Sequence, residues 1–344
     1  MNKKIFGLDI GATSLKLVWL DKEASGFILK AALIAPVPAR GMLSEAPLDE
    51  EEMAQALRKA VETAGVPTRR VNIALPENQV YTKVLEMPVL SDKEIAAAIY
   101  WEAEQYIPVP LSNIKLVWDV LKRPIAKVTT DKMQVLMVGA PTLLVNKYQK
   151  ILTLAGLEIN TMETEILATI RALVPNENFP TSLVVNIGAI STSIAIVKAG
   201  IIIFTYSMSI GGAAINRAIA TDFNLTPQQA EEYKRVYGVS GKNLGGKIGK
   251  STEPILNSIL TEIKKSIAFY EQKYKEGDKI RQIILSGGTA KLPGIEIFFA
   301  QNSGIETAIA NPWKSLSSQQ IPKEVLQNAS DYPIAVGLAM RDYE

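Results

Sequence analysis

The chain has 344 residues, no cysteine and no histidine, and 37 basic against 35 acidic side chains. Disulfides, Cys/His zinc sites, cysteine nucleophiles and Ser-His-Asp triads are therefore excluded; chemistry must rest on carboxylates, Lys/Arg, hydroxyls, backbone amides or a hard cation. A net charge of +2 gives no electrostatic case for nucleic acid or an acidic membrane surface, and the length favours two lobes over one core.

The N-terminal run MNKKIFGLDIG starts basic and turns apolar, but Asp9 falls where a signal peptide stays apolar, so it reads as a strand. Strands are expected over residues 5–34, with turns at 11–14 and 22–26. A helix with an acidic first turn follows at 49–64, closed by Gly65 and Pro67, and then a buried strand at 71–76. Ser91 and Glu94 form a capping box that opens a helix running to Tyr106, stopped by Pro108 and Pro110. Strands at 114–121 and 133–139 and a helix at 141–155 complete a β–α–β–β–α block, 80–160, expected to fold as a small subdomain.

A helix is predicted at 163–173. The uncharged stretch 199–216 alternates with Thr205, Ser207 and Ser209 and ends in Gly211-Gly212, which marks a strand and a turn rather than a membrane helix. Helical material at 211–236, a Gly/Lys-rich loop at 238–250, a long helix at 252–275, a strand at 282–288 and a last helix at 333–341 follow. The stretch GGKIGKS (245–251) looks like a phosphate-binding loop, but Leu244 stands where that motif needs its first glycine. It is expected to be a surface loop. The acidic run 49–52 reads as a helix start favoured by the dipole, not a metal site.

One hairpin is written twice. FGLDIGATSLKLVWL (6–20) and LVVNIGAISTSIAIV (183–197) share a strand, an Asp or Asn, Ile-Gly-Ala, a hydroxyl residue and a second strand. A tight turn of Gly and small hydroxyl residues points backbone N–H groups at an oxyanion, and an aspartate at the strand end can hold Mg²⁺ through water. Two such turns facing each other would grip a polyphosphate from both sides. LSGGTAKLPGI (285–295) adds a strand that ends in Gly-Gly, where backbone can approach a flat ligand closely.

These three elements, in this order, resemble the actin-like ATPase superfamily. The implied fold is α/β: a two-lobed, ribonuclease H-like actin fold with a small inserted α+β subdomain in the first lobe. EIAAAIYWEAEQYIPVPL (94–111), VGAPTLLVNKYQKILTLAGLEI (138–159), AEEYKRVYG (230–238), SIAFYEQ (266–272) and PIAVGLAMR (333–341) are similar, within it, to the PilM family of type IV pilus assembly proteins. The boundaries this implies are a first lobe 1–79, an inserted peptide-binding subdomain 80–160, a connecting helix 161–180, a second lobe 181–325 and a C-terminal helix 326–344 returning to the first lobe.

The resemblance implies ATP and Mg²⁺ as ligands, and residue roles with them. Asp9 faces the metal; Gly11, Ala12, Thr13, Ser14 and Lys16 form the first cradle; Gly188, Ala189, Ser191 and Thr192 form the second. Gly287, Gly288 and Thr289 line the adenosine, with Glu231 and Lys234 at the ribose and base. Glu163 or Glu165 stands where a water-polarising side chain is expected, although either also fits a solvated helix start. The departure is Asn186, where the family has a second metal-facing Asp; an amide accepts hydrogen bonds but brings no charge. Weak or absent hydrolysis with retained ATP binding is the expectation.

Tyr100, Trp101, Tyr106 and Ile107 make the 80–160 block aromatic-rich, as a peptide groove or as subdomain core. By resemblance the peptide is the cytoplasmic N-terminal tail of a PilN-type inner-membrane protein, with pilus motor or ring proteins as further partners. A cytoplasmic protein held at the inner membrane through its partner, with no direct insertion and no nucleic acid, is expected. Related cell-division or type II secretion scaffolds share the fold. A small-molecule kinase would need a catalytic Asp that the sequence does not display.

Overall fold

The computed structural model describes residues 4–24, 26–124, 132–239, 246–274, 279–317 and 321–343. The N-terminal hairpin strands β1 (Phe6–Ile10), β2 (Ser14–Glu23) and β3 (Gly26–Pro36) are joined by α1 (Pro47–Ala64) and β4 (Arg70–Leu75). Pro47 in the first turn and Gly65, left-handed at φ 64°, set the two ends of α1. Every residue of β1 is buried, as suits a central strand parallel to β4.

β5 (Tyr81–Met87), α2 (Asp92–Tyr106), β6 (Ile114–Lys122) and β7 (Met133–Pro141) follow. The predicted capping box is present: Ser91 N donates to Glu94 Oε2 at 2.8 Å. The three strands form a separate sheet in the order β5-β7-β6, and α2 covers one face through Ile95, Ile99 and Ala103.

The expected 80–160 block is cut short. Helix α3 (Thr142–Leu154) sends Tyr148, Ile151 and Leu152 into the core of the first sheet, against Met53 and Leu57 of α1. Residues 158–164, partly assigned to a helix from sequence, form β8 (Glu158–Thr164) parallel to β4. The connecting helix α4 (Glu165–Leu173) starts only after it.

The second half repeats the plan with β9 (Ser182–Ile187), β10 (Thr192–Lys198) and β11 (Ile201–Met208). Helices α5 (Gly212–Phe223), α6 (Pro227–Tyr237) and α7 (Lys247–Lys273) lead to β12 (Gln282–Ser286), α8 (Ile295–Ser303) and β13 (Glu306–Ile309). Asn224 at φ 50° separates α5 from α6, and Thr226 and Gln229 cap α6 reciprocally. α7 begins five residues before its expected start, after Gly246 at φ 72°, so residues 247–251 are its first turn; 240–245 lie outside the described residues. β13, four residues long, was not legible as a strand.

The two large sheets have matching orders, β3-β2-β1-β4-β8 and β11-β10-β9-β12-β13. After α9 (Lys323–Gln327), the wholly buried α10 (Pro333–Met340) returns to the first sheet. A Cβ on Gly7 would lie 2.1 Å from Ala335 O, and one on Gly337 would lie 1.8 Å from Ala168 O. α10 therefore lies directly on β1 and crosses α4 at backbone contact.

Candidate functional site

The two copied turns close with the same hydrogen bond. Gly11 N donates to Ser14 O at 3.1 Å, and Gly188 N donates to Ser191 O at 2.9 Å. In each hairpin the strand-end residue has the equivalent partner: Asp9 stands opposite Lys16, and Asn186 opposite Ser193. Both turns line one cleft of about 1060 Å³, at the ends of the strands where ligands collect in open α/β sheets.

Asp9, Gly11, Ala12, Thr13, Ser14, Lys16 and Glu165 line the cleft from the first lobe. Asn186, Gly188, Ala189, Ser191, Glu231, Lys234, Gly287, Gly288 and Thr289 line it from the second. Lys16 Nζ lies 3.2 Å from Asp9 Oδ2; Asp9 is buried and Lys16 partly so. Burial works against the charge on Lys16, but Asp9 and then Asp331 outweigh it and hold its pKa above the ordinary value. Glu165 is the converse case: burial, then the charge of Asp9, pushes it up to about 8. Its Oε2 accepts from Glu77 N at 3.3 Å, and Glu77 Oε2 accepts from Ile166 N at 3.4 Å.

Two predicted residues are elsewhere. Glu163 belongs to β8 and forms an ion pair with Arg171, whose Nη2 donates at 2.9 Å, and with Arg341. It fastens α4 and the end of α10 to the strand and is not among the cleft residues, because the chain turns from β8 into α4 between Glu163 and Glu165 and so breaks the same-face relation that two residues of one strand would keep. Thr192 is fully buried and donates to Ile210 O at 2.7 Å, so it braces the second turn from behind.

Close backbone approach explains the glycines. Gly287, at φ 86°, would put a Cβ 2.5 Å from Ile187 O and 2.7 Å from Asn186 Oδ1. Gly188 O accepts from Gly212 N at 2.9 Å and from Thr289 Oγ1 at 3.0 Å, joining three segments of the cleft wall. Asn186 Oδ1 accepts from Ser286 Oγ at 3.2 Å. Burial resists ionisation of Glu231, but bonds from Lys234 and Asn216 win and lower it to about 2; burial also lowers Lys234.

Sequence reasoning missed several cleft residues: Asp331, paired with Lys291 at 2.5 Å, and Gly212, Asn216, Tyr148 and Arg40. Gly211-Gly212 was read as a turn and could have been placed beside the second cradle; the others carry no local motif. Three wall residues, Asn78, Asn216 and Ser330, each hold a buried side-chain oxygen without a hydrogen-bond partner. Such orphans, with glycines where a Cβ would clash, fit a wall built for a polar ligand. Among the described residues no group of three or more Asp or Glu forms a metal cage, and no helix is long and apolar enough to cross a membrane.

On α2, the helix that covers the small sheet, Trp101 is 62 % exposed, Tyr100 54 % and Tyr106 41 %. Tyr106 donates its hydroxyl to Thr82 O at 3.3 Å, under Lys83 Nζ at 4.8 Å from the ring. Ile107 is 4 % exposed and packs with Ile99, Ile114 and Met137, so it is core and not docking surface.

A family model described as type IV pilus assembly protein PilM matches residues 7–343. The chain belongs to the PilM family. The structure of a PilM–PilN type IV pilus biogenesis complex superposes with a TM-score of 0.85 at 28% identity, covering 100% of both chains. Cell division protein FtsA of Streptococcus pneumoniae is 24% identical over 89% of this chain and 75% of its own length. MreB5 of Spiroplasma citri bound to ADP shares the fold, with a TM-score of 0.53 at 13% identity over 100% of this chain and 96% of that one. A PilM-family chain with an actin-like, two-lobed fold thus carries the paired-turn cleft.

Proposed function

We propose that this PilM-family protein is an ATP·Mg²⁺-binding scaffold of the type IV pilus assembly platform that docks the tail of a PilN-type membrane protein on its small sheet. The observation that carries the nucleotide half is the repeated turn, closed by the same bond in both lobes and facing one cleft. Lys16 and the turn amides would take the phosphates, and Asp9 would hold the metal through water, since Mg²⁺ keeps several waters and few protein ligands.

A bound Mg²⁺ supplies charge neutralisation of the phosphates. The chain's own groups favour holding over cleaving: Asn186 adds no negative charge, and Glu165, at about 8, carries its proton at neutral pH and is a poor base. The protein is therefore read as a nucleotide-stabilised scaffold with slow or no turnover.

The docking half rests on exposed Tyr100, Trp101 and Tyr106 and on the PilM–PilN complex as a structural neighbour. Titration with the N-terminal peptide of a PilN-type protein tests it. Trp101→Ala, which removes no core contact, is expected to weaken binding about tenfold or more with unchanged thermal stability. Unchanged affinity would place the peptide elsewhere.

A further inference from the structure

The small sheet is inserted in the first lobe, yet one of its faces is turned to the second. Side chains alternate along β5. Leu85 and Met87 pack on the α2 side, where Lys83 also pairs with Glu102 at 3.7 Å. Thr82, Val84 and Glu86 are the alternate positions, and each meets the second lobe. Thr205 Oγ1 donates to Thr82 O at 3.3 Å, and Val84 packs in one cluster with Val197 and Ile202. Glu86 Oε1 accepts from the Tyr274 hydroxyl at 2.9 Å and lies 3.0 Å from Lys273 Nζ.

These contacts form a seam. β5 and β11 are edge strands of their own sheets, and Ser207 Oγ donates to Glu77 O at 3.4 Å. Numbers therefore fall along β11, from Ser207 through Thr205 to Ile202, as they rise from Glu77 through Thr82 to Val84. The seam starts at the cleft end, where Met208 pairs with Thr192 of the second turn, and it finishes at Tyr274, just past the last residue of α7. Burial opposes the charge on Glu86 there, but bonds from Lys273 and then Tyr274 win and hold its pKa below the ordinary value. Tyr106 of α2 donates to the same Thr82 O at 3.3 Å, so α2, β5 and β11 meet at one oxygen.

To the first lobe the sheet is joined by two connections, each marked by a proline: Pro76 ahead of residues 77–79, and Pro141 where β7 turns into α3. Hinges are commonly a few residues at the ends of elements. We propose that the small sheet is a strap between the lobes: it moves with the second lobe, hinges on the first at Pro76 and Pro141, and is buckled at its far end by Glu86 to Lys273 and Tyr274. Movement of the lobes then shifts α2, with Trp101, relative to the first lobe. Glu86, Lys273 and Tyr274 are not cleft residues, so the strap stands whether or not the cleft takes a nucleotide.

The chain has no cysteine, so spin labels can be placed without removing a native thiol. Lys93 on α2, Lys264 on α7 and Glu52 on α1 are exposed, and each is replaced by Cys in pairs for pulsed EPR on the ligand-free full chain. The distance distribution of the Lys93–Lys264 pair is expected to be narrow and that of the Lys93–Glu52 pair broad. Glu86→Ala should broaden the first to the width of the second, and Tyr274→Phe, which removes one of the two donors, should broaden it in part. Equal widths in the otherwise wild-type chain, or a narrower Lys93–Glu52 pair, overturns the strap and needs no further variant to fold. A Lys93–Lys264 width that neither variant changes overturns the buckle.

Discussion

Asp9 and Asn186 occupy the same place in two copies of one hairpin, and their neighbours are matched to the difference. Asp9 has a cation opposite it, Lys16 at 3.2 Å, whereas Asn186 has Ser193 opposite it and a hydroxyl donor in Ser286. Of the two strand ends, only the first lobe's thus carries charge, and Glu165 lies close enough to feel it. Glu165 titrates far above its ordinary 4.5, at about 8, so the native state binds a proton that the unfolded chain releases. Its contribution to stability is fully present below about pH 4.5 and is lost as pH rises through 8. Glu165→Gln should remove that slope. In the ligand-free protein, variant and wild type should melt alike near pH 4, and the variant should pull ahead steadily towards pH 8. Parallel melting curves across that range would contradict the assignment.

The elements show where sequence was and was not sufficient. The hairpin turns, α1, α2 and the Gly-Gly strand end were legible because each is specified locally, by turn residues, caps and period. The split between Glu163 and Glu165 was not. Whether residues 158–164 form a strand depends on β4 being free to pair with them, and only the fold decides that. α3 reads as part of the small subdomain because it follows β7 directly, yet its Tyr148, Ile151 and Leu152 match the surface of α1. Asn216 and Asp331 carry no local motif, since the partners that make them part of the wall come from other segments. The crossing of α4 and α10 is legible only as a small residue, Gly337, in the last helix. Gly337→Ala drives a methyl into Ala168 O, and the helices must separate; a loss of about 1–3 kcal/mol or more is expected in urea unfolding. A variant as stable as the wild type would mean that the crossing is looser than the backbone contact implies.

At the scale of the molecule, the repeat of sheet order and turn chemistry makes one cleft out of two copies of a hairpin, walled by both lobes. The small sheet is tied to the second lobe as well as to the first. Val84 and Leu121 pack with Ile202 and Val197, Thr205 Oγ1 donates to Thr82 O at 3.3 Å, and Tyr274 donates to Glu86 at 2.9 Å. A ligand that fixed the lobes would therefore also fix the sheet on which α2, with Trp101, packs, as the proposed nucleotide-stabilised scaffold requires. On the proposed reading, this cleft clamps ATP and scarcely cleaves it. Protein purified in Mg²⁺ and then denatured should release intact ATP, identified by chromatography at close to one per chain. Release of no nucleotide, together with no uptake when ATP is added, would contradict it.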